Sequence, residues 1–471
     1  MKINRHLILA FALLLIACNS FAQKLGKYNA IYSGIPWFDN NGKVVSAHGA
    51  NMVKDHGKFY IFGEAHSDTS NAFAGFNCYS SADLYNWKFE RIALPVQVSG
   101  KLGPGRVGER PKVLRCPKTG EYIMLMHTDN LAYKDPCVGY ATAKSITGPY
   151  KFQGPLLFNG EPVRKWDMGT FQDSDGTGYL IIHSGLLFKL ADDYKSITEK
   201  VVDNKWRGHE SPAIFKKGGI YFWLASDLTS WERNDNFYYT ATTLKGPWIA
   251  RGNFAPKGTL TWNSQTTFVM PITGANDTTI MFMGDRWSYP HQASSATYVW
   301  QPISVNGSTA SISQYMEGWQ INTSAAVVRI IDARNKGINR VSKTGIQYKG
   351  NWQHTLSDTV LISRSDKKGD SFSVQCNGTQ IGFYGQAGPD GGYARVSLFD
   401  NKGKAMLHAM IDTYSKYPVT GLRFLSPVLP KGLYTLTVSV LGEHGSWSDK
   451  QRSDYGSKGN FVSLEKITVM D

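Results

Sequence analysis

Five stretches of the chain repeat one order of polar and apolar positions. A polar residue leads. A short apolar run follows, then a turn bearing Gly, Asp or Asn, then a strongly aromatic or aliphatic run. They open at His48 (HGANMVKDHGKFYIFGE), Glu109 (ERPKVLRCPKTGEYIMLMH), Asp167 (DMGTFQDSDGTGYLIIHS), Glu210 (ESPAIFKKGGIYFWLAS) and Gln265 (QTTFVMPITGANDTTIMFMGDRW). Each stretch reads as a hairpin of two β-strands. The starts lie roughly 40–60 residues apart, room for one four-stranded unit each, and a period of that size points to a propeller. Three segments after the hairpins supply outer strands: CYSSADLYNWKFE (78–90), GYATAKSITGPYKF (139–152) and YYTATTLKGPWIA (238–250). In a propeller the first strand of every blade lines one axis. Five leading residues, three of them carboxylates, would therefore converge.

The pattern stops near Trp300, and a polar stretch follows. From about Val327 the chain reads as separate strands (SFSVQC, QIGFYGQ, ARVSLFD, LYTLTVSVLG, VSLEKITVMD) at sandwich-like spacing. The expected class is all-β, a five-bladed β-propeller followed by a jelly-roll-like β-sandwich. The expected divisions are a signal peptide at 1–22, a catalytic propeller at 23–322 and an accessory sandwich at 327–471.

The N-terminus MKINRHLILAFALLLIACNSFAQ has a basic start, an apolar run and small residues before a cut. Cleavage after Ala22 would release a soluble protein. Cleavage before Cys18 would leave a lipid-anchored one. The run is too short to span a membrane. Export to the periplasm, the cell surface or the medium of a bacterium is expected.

The four later cysteines, Cys78, Cys116, Cys137 and Cys376, have no CxxC pairing or zinc spacing. They read as buried or free thiols. A formal charge of +14 is spread without a Lys/Arg block, so it reads as a basic surface and not as a nucleic-acid site. The sequons at Asn276, Asn306, Asn322 and Asn377 carry little weight in a bacterial chain. Aromatic residues make up 13% of the chain. They suit strands, and their faces also suit sugar rings.

Hydrolysis of a glycosidic bond takes two carboxyl functions, one kept protonated as an acid. Like charges held close together can raise a pKa to that end. Glu109, Asp167 and Glu210 supply such a set. Each also has a plainer reading. Asp167 can cap a strand, Glu109 and Arg110 can form a surface pair, and Glu210 precedes Ser-Pro in a loop-like context. Only the repeat favours a shared site.

From Lys27 to Gln320 the chain resembles glycoside hydrolase family 43. ERPKV (109–113), DMGTFQDSDG (167–176), SDLTSW (226–231), TLKGPW (243–248), NSQTTFV (263–269) and MGDRW (283–287) resemble its exo-β-1,3-galactanase branch. The resemblance implies an inverting exo-enzyme that releases galactose from β-1,3-galactan. Glu210 would be the general acid and Asp167 the carboxylate that tunes it. The family's usual base position reads Ala47-His48-Gly49-Ala50, without a carboxylate. Glu109 and Gln265 would line the site in its place, with Glu109 as base or Gln265 as a positioning or tautomeric group. Glu64, Tyr133, Thr229, Trp231 and His48 would contact sugar, while Trp287 and Trp300 read as packing. Trp166 and Ser230 stand where the branch commonly has Arg and Gly, a change that bears on the sugar accepted.

An α-L-arabinofuranosidase or β-D-galactofuranosidase of the same family is the first alternative, and a sugar-binding propeller without catalysis the second. An oligo- or polysaccharide is the expected partner. No cofactor is expected, and no ligand spacing supports a structural Ca²⁺.

Overall fold

The computed structural model describes residues 26–275, 277–331, 345–357, 360–448 and 454–470. The leader at 1–22, Cys18 and Asn276 lie outside the described residues. The described chain is almost entirely β. Among the described residues, no helix is long and apolar enough to cross a membrane.

All five hairpins form. They are His48–Asp55 with Lys58–Glu64, Arg106–Arg115 with Tyr122–Asn130, Met168–Gln172 with Gly178–Ile182, Glu210–Lys217 with Ile220–Ser226, and Gln265–Thr273 with Thr278–Arg286. Each is extended by third and fourth antiparallel strands into a sheet. The segments at 78–90, 139–152 and 238–250 carry those strands in sheets one, two and four. Sheet three gains two further short strands at its outer edge. The first strands adjoin one another in cyclic order, the fifth returning to the first. The sequence makes them suitable for this central position, because they read as continuous apolar runs behind one polar residue and are buried on both faces.

Close approach is enforced by small residues. A Cβ on Gly169, in the first strand of sheet three, would stand 2.0 Å from the Pro212 carbonyl oxygen in sheet four. Bulges also recur near the start of the first strand in sheets one, two, four and five. In three of them the residue after the polar leader is left-handed: Gly49 (φ 62°), Arg110 (φ 54°) and Ser211 (φ 56°). A bulge re-aims the side chain beside it. It is the local device that turns each leader out of its sheet.

The N-terminal strand Ile31–Tyr32 pairs with Gly318–Asn322, which pairs in turn with Val327–Ile331. Beyond these lie a five-stranded, two three-stranded and one two-stranded sheet among the described residues. The stretch VSLEKITVMD is not one strand. Val462–Leu464 pairs with Val360–Ser365, and Lys466–Met470 pairs with Gln380–Ala387. The chain changes sheets at Glu465, whose main-chain N–H donates to the Tyr384 carbonyl. A continuous apolar core joins these sheets to sheets one and five, through Trp37, Trp300 and Trp319 on one side and Phe372, Phe383 and Phe424 on the other. The four cysteines are buried and unpaired.

Replacement of Gly169 by Ala should push the Asp167 strand away from the Glu210 strand. We expect a loss of about 1–3 kcal/mol in stability, read by denaturant unfolding, because overpacking against backbone cannot relax cheaply. Activity should fall further than the unfolded fraction explains.

Candidate active site

The leaders of sheets three and five, Asp167 and Gln265, bond to the buried guanidinium of Arg110, and Glu109 and Glu210 lie near enough to act on it electrostatically. Its Nε lies 2.9 Å from Asp167 Oδ1. Its Nη2 donates to Ser211 Oγ at 2.7 Å and to Gln265 Oε1 at 2.9 Å. Its Nη1 reaches the Thr266 carbonyl and Thr267 Oγ1, and its main-chain N–H donates to Glu64 Oε1 at 2.9 Å. One residue therefore contacts groups from every other sheet. The alternative of an exposed Glu109–Arg110 pair is overturned: Arg110 is buried on Asp167, and Glu109 has other partners. Lys112, two residues on, is fully buried and donates to the carbonyls of Gly49, Ala50 and Thr267.

Glu109 accepts the Tyr133 hydroxyl on Oε1 at 2.6 Å and His127 Nδ1–H on Oε2 at 3.0 Å. His127 Nε2 faces Asp129 at 3.4 Å. Both ring nitrogens thus face carboxylates. Burial opposes the charge on His127, but the bonds to Asp129 and Glu109 outweigh it and raise its pKa to about 9. Burial likewise raises Glu109, but His127, Tyr133 and Arg110 together bring it below the usual carboxylate range. Glu109 is thus an ionised, doubly anchored carboxylate.

Asp167 accepts the main-chain N–H of Ser211 on Oδ2. Ser211 follows Glu210, so Asp167 fixes the strand end that carries Glu210. Glu210 is half-buried, with its carbonyl held by Ser226 Oγ at 3.4 Å.

Gln265 is buried and fully directed. Its Oε1 receives Arg110 Nη2 and, at 2.8 Å, the indole N–H of Trp287, while its Nε2 donates to Ser226 Oγ at 3.0 Å. Guanidinium and indole are donors only. A proton on Oε1, as an imidic acid requires, would meet two donors and no acceptor. The amide is held in its ordinary form. Trp287, which the sequence suggests as packing, is the residue that fixes it, and Arg110 lies over the ring. Trp300 is a packing residue, buried against Trp37 and Trp87.

Glu64 also lies at 2.9 Å from His66 Nε2. Glu64, His66, Phe73, Gly108, Glu109 and Trp231 line an open cleft with about 270 Å³ of empty space. Trp231 is half-buried, edge-on to Trp287 at 5.1 Å and parallel to Tyr289. Tyr133 joins the site through Glu109. Thr229 is turned into its own loop, donating to the Glu232 carbonyl and accepting from Asn234. His48 is fully buried, stacked on Tyr298 at 4.4 Å and bonded to Asp285 at 3.2 Å, and it stands behind the cleft. Trp166 stacks on His183 at 3.8 Å beside Asp167, and Ser230 is left-handed at φ 54°. Among the described residues, no group of three or more His, Cys, Asp or Glu is placed to hold a metal.

The geometry gives a pH prediction. His127 has a raised folded-state pKa, so its stabilising effect is complete below its unfolded value of roughly 6.5 and is lost as pH rises through about 9. Unfolding midpoints should fall between pH 6.5 and 9 in the native chain and fall less in His127→Gln. The same variant removes a group that holds Glu109 ionised. The acidic limb of its kcat/KM profile should therefore move to higher pH.

A model of glycosyl hydrolases family 43 matches residues 44–295, more than half of the chain and the whole of the clustered site. A search of the curated proteins found no match. Among solved structures, the exo-β-1,3-galactanase of Phanerochaete chrysosporium with galactose is 27% identical. It covers 93% of this chain and 100% of its own, with a TM-score of 0.67. A variant of that enzyme with β-1,3-galactotriose gives a TM-score of 0.69 at the same identity, over 93% of this chain and 99% of its own. A putative exo-β-1,3-galactanase from Bifidobacterium bifidum s17 is 37% identical over 61% of this chain and 96% of its own, with a TM-score of 0.55. The chain belongs to glycosyl hydrolases family 43 and is a glycosidase.

Proposed function

We propose that this glycosidase is exo-acting on β-1,3-linked galactan and releases galactose with inversion. The five sheets are the blades of a five-bladed β-propeller spanning 23–322, and 327–471 is a jelly-roll-like β-sandwich beside it. Residues 1–22 are a signal peptide that sends the enzyme out of the cytoplasm. The observation that carries the reading is that Asp167 and Gln265 bond to Arg110 while Glu109 and Glu210 lie near enough to act on it electrostatically. It is supported by the likeness to galactanases over nearly the whole chain.

In this reading Glu210 protonates the departing glycosidic oxygen. Asp167 holds the end of the Glu210 strand through Ser211 N–H and keeps its own charge against Arg110. Glu109 takes the proton of the attacking water, since it is the ionised carboxylate on the cleft wall. Its two hydrogen bonds fix its direction and make it a modest base with a defined approach. Gln265 positions water or sugar through Nε2, since its oxygen is occupied. Glu64, Tyr133 and Trp231 border the bound galactose, with Trp231 offering a ring face to it.

The test is to incubate the chain without residues 1–22 with linear β-1,3-galacto-oligosaccharides and follow the released sugar by proton NMR. Galactose should appear first as the α-anomer. Glu210→Gln should lower kcat by about 100- to 10,000-fold, the usual worth of general acid catalysis. Release of the β-anomer would overturn inversion. Binding without release would make the propeller a sugar-binding protein. Neither binding nor release would shift the substrate to a furanoside, with Trp166 and Ser230 as the determinants to change.

A further inference from the structure

Away from the cleft, a second, small pocket lies where sheet five meets the C-terminal sheets. Its walls carry three guanidinium groups, Arg233, Arg286 and Arg423, with one carboxylate, Asp412. Arg286 bonds to the carbonyls of Asn263, Gly34 and Trp262. Arg423 bonds to the carbonyls of Gly385 and Val419. Main-chain carbonyls satisfy N–H groups but leave the full positive charge in place.

Arg233 is 2% exposed, and its Nε and Nη1 have no hydrogen-bond partner. Its Nη2 donates to the Trp287 carbonyl at 2.7 Å. The facing carboxylates stand off: Glu232 Oε1 is 3.8 Å from Nη1 and Asp412 Oδ2 is 3.8 Å from Nη2. Both are engaged elsewhere, Glu232 with the Tyr414 hydroxyl and Asp412 with Ser288 Oγ and Tyr414 N–H. Burial and the Arg286 charge bring Arg423 down to about 10, against the opposing charges of Glu317 and Asp412. Burial pushes the Asp412 carboxyl up, while the Arg233 and Arg286 charges and the bonds from Tyr414 N–H and Ser288 Oγ oppose that.

The Arg233 guanidinium also lies over the Tyr414 ring at 5.0 Å, but its two buried N–H groups left unmade are costly. We propose that this pocket binds a small monovalent anion of the halide class, held between Arg233, Arg286 and Arg423. Asp412 on the same wall disfavours a multiply charged anion. The bound ion would brace the junction of the two parts of the chain. It would also steady Trp287, whose carbonyl is held by Arg233 and whose indole holds Gln265. The proposal is independent of which sugar the enzyme cleaves.

Crystals of the full mature chain grown in sodium bromide provide the test. An anomalous peak in contact with Arg233 and Arg423 is the expected result. No peak there, or peaks only at the surface, would overturn the proposal and leave the pocket to water. In solution, replacing gluconate with chloride at constant ionic strength should raise the unfolding midpoint by about 2 °C or more, saturating with concentration. Arg423→Gln should lose that chloride-dependent rise. An equal midpoint in both salts in the native chain would also overturn it.

Discussion

The constraint on which the site depends is the burial of Arg110. A guanidinium removed from water must find all its partners inside the protein. Here they come from everywhere at once: Asp167 in sheet three, Ser211 in sheet four, Gln265, Thr266 and Thr267 in sheet five, and Glu64 in sheet one against its main chain. Five separate sheets could otherwise slide relative to one another with little penalty, since apolar packing is not directional. Polar partners with fixed geometry remove that freedom. The residue that holds the ring in register is also the one that orients the carboxylates, so stability and geometry are coupled at a single side chain.

Lys112 extends the same logic below it. Its ammonium bonds to three carbonyls, from Gly49, Ala50 and Thr267, which belong to sheets one and five. With Arg110 overhead, two cations are stacked on one strand, and burial with Arg110 lowers the Lys112 pKa to about 7. Glu64, Asp167, Glu210 and Asp285 oppose them electrostatically. The cluster of carboxylates, which looks self-repelling from the sequence alone, is therefore the counter-charge of a buried cationic pair. Clustering does not by itself raise a pKa here. Glu109, inside the cluster, is lowered, because hydrogen bonds from His127 and Tyr133 overcome its desolvation.

Much of this was legible in the polar and apolar pattern. The five hairpins follow from short apolar runs broken by Gly-, Asp- and Asn-bearing turns, and all five form, though the strand of sheet two starts three residues before Glu109 and that of sheet three one residue after Asp167. What the pattern hides is direction. Arg110 follows Glu109, so simple alternation assigns it to the opposite face. A bulge and a left-handed φ of 54° turn it into the centre instead. His127 lies on the neighbouring strand opposite Glu109, and only register brings the two together. Trp287 packs against His48, His66 and Trp231, and its indole also donates to Gln265, a role that a packing position does not announce. A Gln with no charge of its own gives no signal that an indole will hold it.

The first sheet offers a His where a carboxylate base would be expected by resemblance, yet negative charge is present at that place. Asp285, paired opposite Gln265 in sheet five, accepts His48 Nδ1–H and Gly49 N–H beneath the leader of sheet one. Burial raises its pKa, but His48, Arg110 and Gly49 outweigh that and keep it ionised. It is wholly buried and cannot meet a water molecule in the cleft. The charge at that place has no access to solvent. A site built this way preserves the field around Arg110 but must take its base from elsewhere. Of the groups that border the cleft, Gln265 has its oxygen blocked by two donors, and Glu64 is tied to His66 and to the Arg110 main chain. Glu109 is the carboxylate that is both brought below the usual range and on the open wall, which is why the proposed mechanism draws the proton of water to its side of the cleft.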